Sequence, residues 1–326
     1  MLQRILLFLI LGASCGLAQL AVVEKIAGRV SFYTPEGRRI SEVPVGQYPH
    51  EIIQSPDRRS LYVTDNGVLW MTNPGQGGNT ISILDVATRK RTGTIDLGNY
   101  RRPHGIDIHP KTGRMVVTIE NPDGLLLIDP VAQKVLRKYD VQGADPHIVL
   151  FDASGDYAWV SNAGSSNVAV VHLPTGKTKV IPSDARPQGG VRTRDGRLIY
   201  LTNSDGNSIS IFDTARQERI GAIKTGSGPG RIALTPDEKT LVYNLQPGEA
   251  VGFADVASRV ETKVVPLGGR PLSLTMSPDG KLAYAGVQDQ DKIFVISVAD
   301  RKILRAIETP KNSGPDPALP LLGGLP

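Results

Sequence analysis

Cysteine is nearly absent from this sequence. The single cysteine among the 326 residues is Cys15, and it lies in an N-terminal segment that we expect to be removed. A mature chain without cysteine contains no disulfide, no cysteine nucleophile and no thiolate ligand for a metal. Any chemistry of the mature protein must therefore use other side chains.

Aromatic residues are also scarce, at 5% of the chain, whereas there are 35 glycines and 24 prolines. This balance is typical of many short strands joined by tight turns. After the N-terminus, no stretch is apolar for long enough to cross a bilayer as a helix, so we expect no transmembrane segment in the mature chain. A run of basic residues is missing too, and only the net charge of +5 supports binding of nucleic acid or another polymer.

The N-terminus has the pattern of a signal peptide. Arg4 supplies a positive charge, residues 5–11 are apolar, and Gly16-Leu17-Ala18 is typical of a cleavage site before Gln19. We therefore predict a signal peptide over residues 1–18 and a single domain over residues 19–326, in a periplasmic or secreted protein. A lipoprotein anchored through Cys15 is the less favoured alternative, because Gly12 stands where a larger aliphatic residue is usual.

One phrase recurs along the chain. Residues 50–54 and 61–64 have the composition of strands, and Ser55-Pro56-Asp57 between them favours a tight turn. The prolines that open the six copies follow one another at intervals of 41–43 residues after a first interval of 54, and they are Pro49, Pro103, Pro146, Pro187, Pro229 and Pro271. A third, alternating strand and a weaker fourth strand follow each pair. Four antiparallel strands in about 42 residues form the unit of a β-propeller.

The two ends of the chain supply a further unit. Residues 28–33 and 39–43 have the pattern of a third and a fourth strand, and residues 20–26 that of a second. Pro315 lies where another opening proline is due, and residues 318–322 have the pattern of the missing first strand. We therefore predict an all-β, seven-bladed propeller whose last blade is closed by the N- and C-terminal strands, which removes an exposed sheet edge.

The repeated strands resemble those of the YVTN-repeat propellers. The segments that carry the resemblance are Leu61-Tyr-Val-Thr-Asp65, Ile199-Tyr-Leu-Thr-Asn203, Ile83-Leu-Asp85 and Ile211-Phe-Asp213. The match covers nearly all of the mature chain, although residues 115–119 and 283–286 depart from the pattern. The resemblance implies a seven-bladed and often exported protein. Members occur as surface or periplasmic binding proteins, and related propellers carry lactonase or haem d1 chemistry, so the fold alone does not choose a function.

The residues beside the opening prolines map the mouth of the central channel, because the innermost strand of each blade begins there. The residue after the proline is, blade by blade, His50, His104, His147, Gln188, Gly230 and Leu272. The residue before it is Tyr48, Arg102, Asp145, Arg186, Gly228 and Arg270, and Arg231 follows one proline by two positions. Three of the five histidines thus share one register on consecutive blades.

These positions predict a binding site, although each imidazole would also be explained by a bond to a neighbouring carbonyl. Histidine carries protons and binds metals near neutral pH, and arginine grips carboxylates or phosphates. The predicted ligand-binding residues are His50, Arg102, His104, His147, Arg186, Arg270, Arg231 and Trp70. No cofactor is predicted. A metal held by the three histidines is an alternative, but we expect strand spacing at the rim to hold the rings apart.

Blade 1 carries an insertion of about 12 residues relative to the usual repeat, around residues 68–79. It is expected to reach over the face that contains His50, with Trp70 as one wall of a pocket, or else to be a surface excursion. Glu120 belongs to the same rim. It is a candidate base or metal ligand, and an ion pair with Arg102 is the preferred interpretation.

The sequence therefore predicts an exported YVTN-type propeller, a monomer that binds a small anionic ligand or another protein at the channel mouth. The alternative is a lactonase-like hydrolase, because Pro49-His50 with Ser55-Pro56-Asp57 also resembles lactonase propellers. In that case His50, His104, His147 and Glu120 are the candidate catalytic residues. A polymer or nucleic-acid binder is the third option.

Overall fold

The computed structural model describes residues 19–322, so the predicted signal peptide, residues 1–18, lies outside the described residues. Within that range, no helix has the length and apolarity that a membrane crossing would require. The described residues form 28 strands in seven four-stranded antiparallel sheets. The predicted all-β, seven-bladed architecture is confirmed.

The strands of the first three repeats and of the N-terminal segment are close to the predicted bounds. The N-terminal strands are β1 (Leu20–Glu24), β2 (Arg29–Tyr33) and β3 (Arg39–Pro44). Blade 1 contains β4 (Pro49–Gln54), β5 (Ser60–Asp65), β6 (Thr80–Asp85) and β7 (Lys90–Asp96). Blade 2 contains β8 (Arg101–Ile108), β9 (Met115–Asn121), β10 (Asp123–Asp129) and β11 (Lys134–Tyr139). Blade 3 contains β12 (Pro146–Phe151), β13 (Tyr157–Asn162), β14 (Asn167–His172) and β15 (Lys177–Pro182).

The remaining repeats continue the same order. Blade 4 contains β16 (Pro187–Arg192), β17 (Leu198–Asn203), β18 (Ser208–Asp213) and β19 (Glu218–Lys224). Blade 5 contains β20 (Pro229–Leu234), β21 (Thr240–Leu245), β22 (Ala250–Asp255) and β23 (Val260–Pro266). Blade 6 contains β24 (Pro271–Met276), β25 (Leu282–Val287), a 3-10 turn (Gln288–Gln290), β26 (Lys292–Ser297) and β27 (Lys302–Glu308). The last strand is β28 (Pro315–Pro320).

Blade 7 joins the two ends of the chain, as predicted. Its strand order is β28-β1-β2-β3, and Ala21 and Val22 of β1 lie opposite Leu319 and Ala318 of β28. Beyond β28, the amide of Gln54 exchanges hydrogen bonds with the backbone of Leu322. The ring thus ends with a paired strand rather than an open edge.

The middle strands of each blade are buried and the outermost strand is largely exposed, as in β5, β6 and β7. The apolar residues pack between the faces of adjacent blades rather than in one central core. In the interface of blades 3 and 4, for example, the rings of Trp159 and Phe212 lie 5.9 Å apart. This arrangement leaves the innermost strands free to line a channel.

Most innermost strands contain a β-bulge one step inside the channel mouth. In β4, Pro49 lies opposite Asp65 and Ile52 lies opposite Val63, so one strand has an extra residue. The innermost strands of blades 2 to 5 repeat this shift after their opening prolines. A bulge changes the direction of the side chains beside it, and here two consecutive residues, His50 and Glu51, reach the site.

Candidate functional site

A cavity of about 380 Å³ lies at the channel mouth. Its lining joins residues of the innermost strands to the inserted loop of blade 1. The lining residues are Lys25, His50, Asn66, Val68, Leu69, Trp70, Met71, Thr72, His104, Glu120, His147, Arg186, Gln188, Arg231, Gln246, Arg270, Leu272 and Asp316. All three rim histidines therefore lie in one cavity.

The rings of the three histidines contact one another. The ring centroids of His50 and His104 are 4.0 Å apart, and so are those of His104 and His147. We expected strand spacing to hold these rings apart, and that expectation is wrong. The innermost strands converge at the mouth closely enough for neighbouring imidazoles to touch.

Hydroxyl groups of the second strands fix the backbone beneath these rings. Thr118 Oγ1 accepts the backbone N–H of Gly105 in its own blade at 2.8 Å and donates to the carbonyl of His147 in the next blade at 2.7 Å. Thr64 does the same between Glu51 and the carbonyl of His104. Ser161 and Thr202 repeat the arrangement in blades 3 and 4. This hydroxyl of the repeated phrase, from threonine or serine, thus couples each of blades 1 to 4 to the next blade.

His104 is paired with a carboxylate. Its Nδ1 lies 2.5 Å from Oε1 of Glu120, whose other oxygen is 3.8 Å from Arg102. Glu120 was expected to pair chiefly with Arg102, and its closer partner is the imidazole. If Nδ1 carries the proton toward the carboxylate, Nε2 keeps its lone pair. This Nε2 is buried and has no hydrogen-bond partner among residues 19–322.

Of the three histidines, His147 is the one best explained by a hydrogen bond to a neighbouring carbonyl. Its Nδ1 lies 3.2 Å from the carbonyl of Gln188 and 3.5 Å from a guanidinium nitrogen of Arg231.

Burial, His104 and nearby cations hold the pKa of both His50 and His147 well below the usual histidine range. These two imidazoles are therefore neutral at neutral pH.

One buried and one partly buried ion pair lie beside the histidines. Lys25 Nζ is 3.6 Å from Asp316, with both side chains 3% exposed. Arg231 of blade 5 pairs with Glu51 of blade 1 and so spans the channel. Burial lowers the pKa of Lys25 and raises that of Asp316, and their mutual attraction opposes both shifts.

Sequence reasoning missed Lys25, Glu51 and Asp316. Asp316 carried a readable signal, because it follows the opening proline Pro315 and so holds in blade 7 the position of His50 in blade 1. Glu51 carried one too, because it follows Pro49 by two positions, as Arg231 follows Pro229, and the same bulge is present in both blades. Lys25 follows the β1 residue that lies opposite Pro315, the position that Asn66 and Glu120 hold in blades 1 and 2, but no other blade has a lysine there.

The inserted loop reaches over the site and forms one wall. Residues 68–72 line the cavity, and the Trp70 ring lies 5.7 Å from Lys25 Nζ. Arg102 was predicted to contact ligand, but it is not among the lining residues. Its guanidinium donates to the carbonyls of Met71, Asn73 and Gly75 at 2.7–3.1 Å, so it holds the loop in place.

Arg186 and Arg270, which precede the innermost strands of blades 4 and 6, also line the cavity. Neither forms an ion pair with a carboxylate in the described part of the chain, and Arg270 makes only a 3.3 Å hydrogen bond to the Gln246 side chain. The cavity therefore presents two arginines whose charge is not balanced by a paired acid.

Known proteins share the fold but not a close sequence. No family model matches the chain. The uncharacterized proteins YncE of Salmonella typhi and Salmonella typhimurium are 21% and 23% identical over 206 and 208 residues. These alignments cover 61% of this chain and 54% of each relative. The chain thus spans about half the length of the curated relatives it matches.

Solved structures show the same architecture. A functionally unknown protein from Desulfotomaculum acetoxidans superposes with a TM-score of 0.77 at 15% identity, over 93% of this chain and 98% of that one. Kuenenia stuttgartiensis hydrazine synthase gives 0.67 at 18%, over 80% and 86%. The dihydro-heme d1 dehydrogenase NirN, in complex with DHE, gives 0.69 at 15%, over 94% and 75%. At these identities the likeness shows the fold alone.

Proposed function

We propose that this protein is an exported, YVTN-type propeller that binds a small organic anion in the channel-mouth cavity. The observation that carries the proposal is the pair of arginines, Arg186 and Arg270, that line the cavity without a carboxylate partner in residues 19–322. Guanidinium groups at a partly desolvated surface bind carboxylates or phosphates with charge-assisted, often bidentate hydrogen bonds.

The rest of the lining indicates an organic ligand rather than an inorganic ion. Trp70, Met71 and Leu272 add apolar surface to the lining. A volume of about 380 Å³ lies in the lower part of the range of small-molecule sites. A carboxylate or phosphate ester with an apolar portion would contact both the arginines and the apolar residues of the lining.

Ligand binding is tested by calorimetry and thermal unfolding with a panel of mono-, di- and tricarboxylates and phosphate esters. A true ligand at 100 times its Kd stabilises the fold by about 2.7 kcal/mol, and its affinity falls with added salt. The double variant Arg186→Gln, Arg270→Gln should lose this response. The control Arg197→Gln alters an arginine whose side chain is 86% exposed and should respond as the parent does. An unchanged affinity in the double variant would refute the proposal.

Export rests on the pattern of residues 1–18 and is tested separately. Expression of the full chain should yield a periplasmic or secreted protein that begins at Gln19, read by intact mass. A mass that includes residues 1–18 argues against cleavage, and a lipid-modified Cys15 would establish the lipoprotein alternative.

The pair of His104 and Glu120 supports a second candidate, a lactonase-like hydrolase. A carboxylate on Nδ1 and an unpartnered Nε2 form the base and orienting group of general-base catalysis. If a lactone is turned over, His104→Ala and Glu120→Gln should each reduce kcat/KM by about 10²–10⁴-fold. His172→Ala, outside the cavity, is the control. A protein inert toward a broad lactone panel excludes this candidate.

A further inference from the structure

We propose that His50, Glu51 and His104 form a binding site for a divalent first-row transition metal at the channel mouth. This inference goes beyond the binding of an organic anion and does not depend on it. It rests on the geometry of the three side chains, on two ring nitrogens without partners and on the carboxylate behind His104.

The three side chains are close enough to share one ion. One potential ligand atom from each lies within 4.8 Å of the other two, and His50 Nδ1 is 3.5 Å from Glu51 Oε1. Bonds of about 2.0–2.2 Å to a central metal need ligand atoms roughly 3–4 Å apart. The 3.5 Å between His50 Nδ1 and Glu51 Oε1 already has that spacing.

Two ring nitrogens at this place lack hydrogen bonds. Nδ1 of His50 and Nε2 of His104 are buried, and neither has a partner in the described range. His104 is only 1% exposed. Buried polar atoms are nearly always satisfied in folded proteins, so two unpartnered imidazole nitrogens in one cluster indicate a missing partner. A metal ion accepts lone pairs of this kind.

The carboxylate of Glu120 supports the same conclusion. Metal-binding histidines usually donate their other N–H to a carboxylate or carbonyl, which fixes the ring and strengthens its remaining lone pair. Glu120 contacts Nδ1 of His104 at 2.5 Å. His104 is therefore held in the orientation that a ligand histidine requires.

The charges beside the histidines balance one another. Three carboxylates border the histidines, and each has a cation within 4.0 Å: Glu51 pairs with Arg231, Glu120 with Arg102 and Asp316 with Lys25. Glu51 has two oxygens and several lone pairs, so it is able to hold Arg231 and ligate a metal together.

The donor set narrows the choice of metal. Two imidazoles and one carboxylate suit zinc, cobalt, nickel or ferrous iron, whereas copper(I) prefers sulfur ligands. Three protein ligands leave at least one position open to water or a bound molecule. Such a site faces the cavity rather than the packed core.

The test is titration of the purified, chelator-stripped protein with Zn²⁺ or Co²⁺ alone, in a buffer without coordinating anions. Calorimetry and metal analysis should give one equivalent, and Co²⁺ should produce a visible absorption band. His104→Ala, His50→Ala and Glu51→Gln should each abolish the stoichiometric site. The control His172→Ala should bind as the parent does, since His172 contacts Tyr157 and Thr175 away from the cavity.

The variant Glu120→Gln tests whether Glu120 positions His104 for the metal or only stabilises the fold. It should keep one equivalent of metal with affinity lower by about 10–100-fold and a shifted Co²⁺ band. Thermal unfolding confirms that each variant is folded. Absence of stoichiometric binding in the parent, or undiminished binding in all three ligand variants, overturns the proposal. No organic anion is present in this titration. Its result therefore does not test the anion-binding proposal, which has its own experiment.

Discussion

The hydroxyl of Thr118 is a single group on which two blades depend. The substitution Thr118→Val keeps the shape of the side chain but removes the hydroxyl. The N–H of Gly105 and the carbonyl of His147 then each lose a hydrogen bond in a buried place. We expect the free energy of unfolding to fall by about 1–3 kcal/mol, as measured by urea denaturation. Thr92→Val, on the exposed strand β7, is the matched control. Equal stability of the two variants would contradict the proposed coupling.

Asp184 offers a pH-dependent test away from the cavity. Hydrogen bonds from Arg219, together with one from Ser208, hold the pKa of Asp184 below its usual value of 3.8. The ionised carboxylate therefore stabilises the fold above about pH 4, and this contribution is lost as the pH falls through the lowered pKa. The Asp184 side chain is 34% exposed, so Asp184→Asn should cost only about 0.5–1 kcal/mol at pH 7.

The comparison of stability at two pH values checks this prediction. The difference between Asp184→Asn and the parent should disappear in the acid limb of a denaturation series. Glu308→Gln removes a carboxylate that is 69% exposed and 3.4 Å from Lys292, and it should change stability by less than about 0.5 kcal/mol at either pH. A difference that grows on acidification would show that the sign of the pKa shift is wrong.

Single residues of the site were predictable where the same residue type recurs at the same position of successive repeats. His50, His104 and His147 share one register, and all three meet in the cavity. Lys25 and Glu51 also stand at positions that recur in the other blades, but their residue types do not recur there. The repeat spacing therefore predicts where they lie, and not which charged partners they meet.

At the scale of elements, the inserted loop is held chiefly by Arg102. One guanidinium bonds to three loop carbonyls, so Arg102→Ala should speed hydrogen exchange in residues 68–78 and weaken anion binding by about tenfold. Arg102→Lys should not restore protection, because an ammonium lacks the planar fork. Arg91→Ala, on exposed β7, is the control. Unchanged exchange in Arg102→Ala would show that the loop is held by other contacts.

The length of this loop was readable from the repeat spacing, but its course was not. A Cβ on Gly78 would lie 2.1 Å from the carbonyl of Asp65, and one on Gly67 would lie 1.9 Å from the backbone nitrogen of Gly78. The loop thus begins and ends with backbones in close contact, which only glycine permits. Long-range contacts of this kind are not encoded in the alternation of apolar residues.

At the scale of the whole molecule, β28 closes the ring. Removal of residues 315–326 deletes the partner of β1 and the Asp316 side chain. We expect the free energy of unfolding to fall by at least about 3–5 kcal/mol, the cost of losing one large core side chain, and the exposed edge to promote association. Denaturation and light scattering measure both effects.

A peptide provides the control for this truncation. Residues 311–322 added in trans should pair with β1 and recover part of the lost stability, as in strand addition, whereas a scrambled peptide should not. A truncated chain as stable as the parent would show that closure contributes little.

The whole ring was predictable because its unit recurs with nearly constant spacing and because the two ends supply complementary strands. Its activity was not predictable in the same way. Repetition specifies the scaffold, while the cavity is formed by the positions at which the blades differ.

The unequal rim also has a stereochemical consequence. Around the ring, the residue after the opening proline changes from three histidines to Gln188, Gly230, Leu272 and finally Asp316. A bound molecule therefore meets a different group at almost every step, in an order that has a handedness. The site therefore lacks the rotational symmetry of the ring of blades. We expect it to bind the two enantiomers of a chiral acid with different affinities.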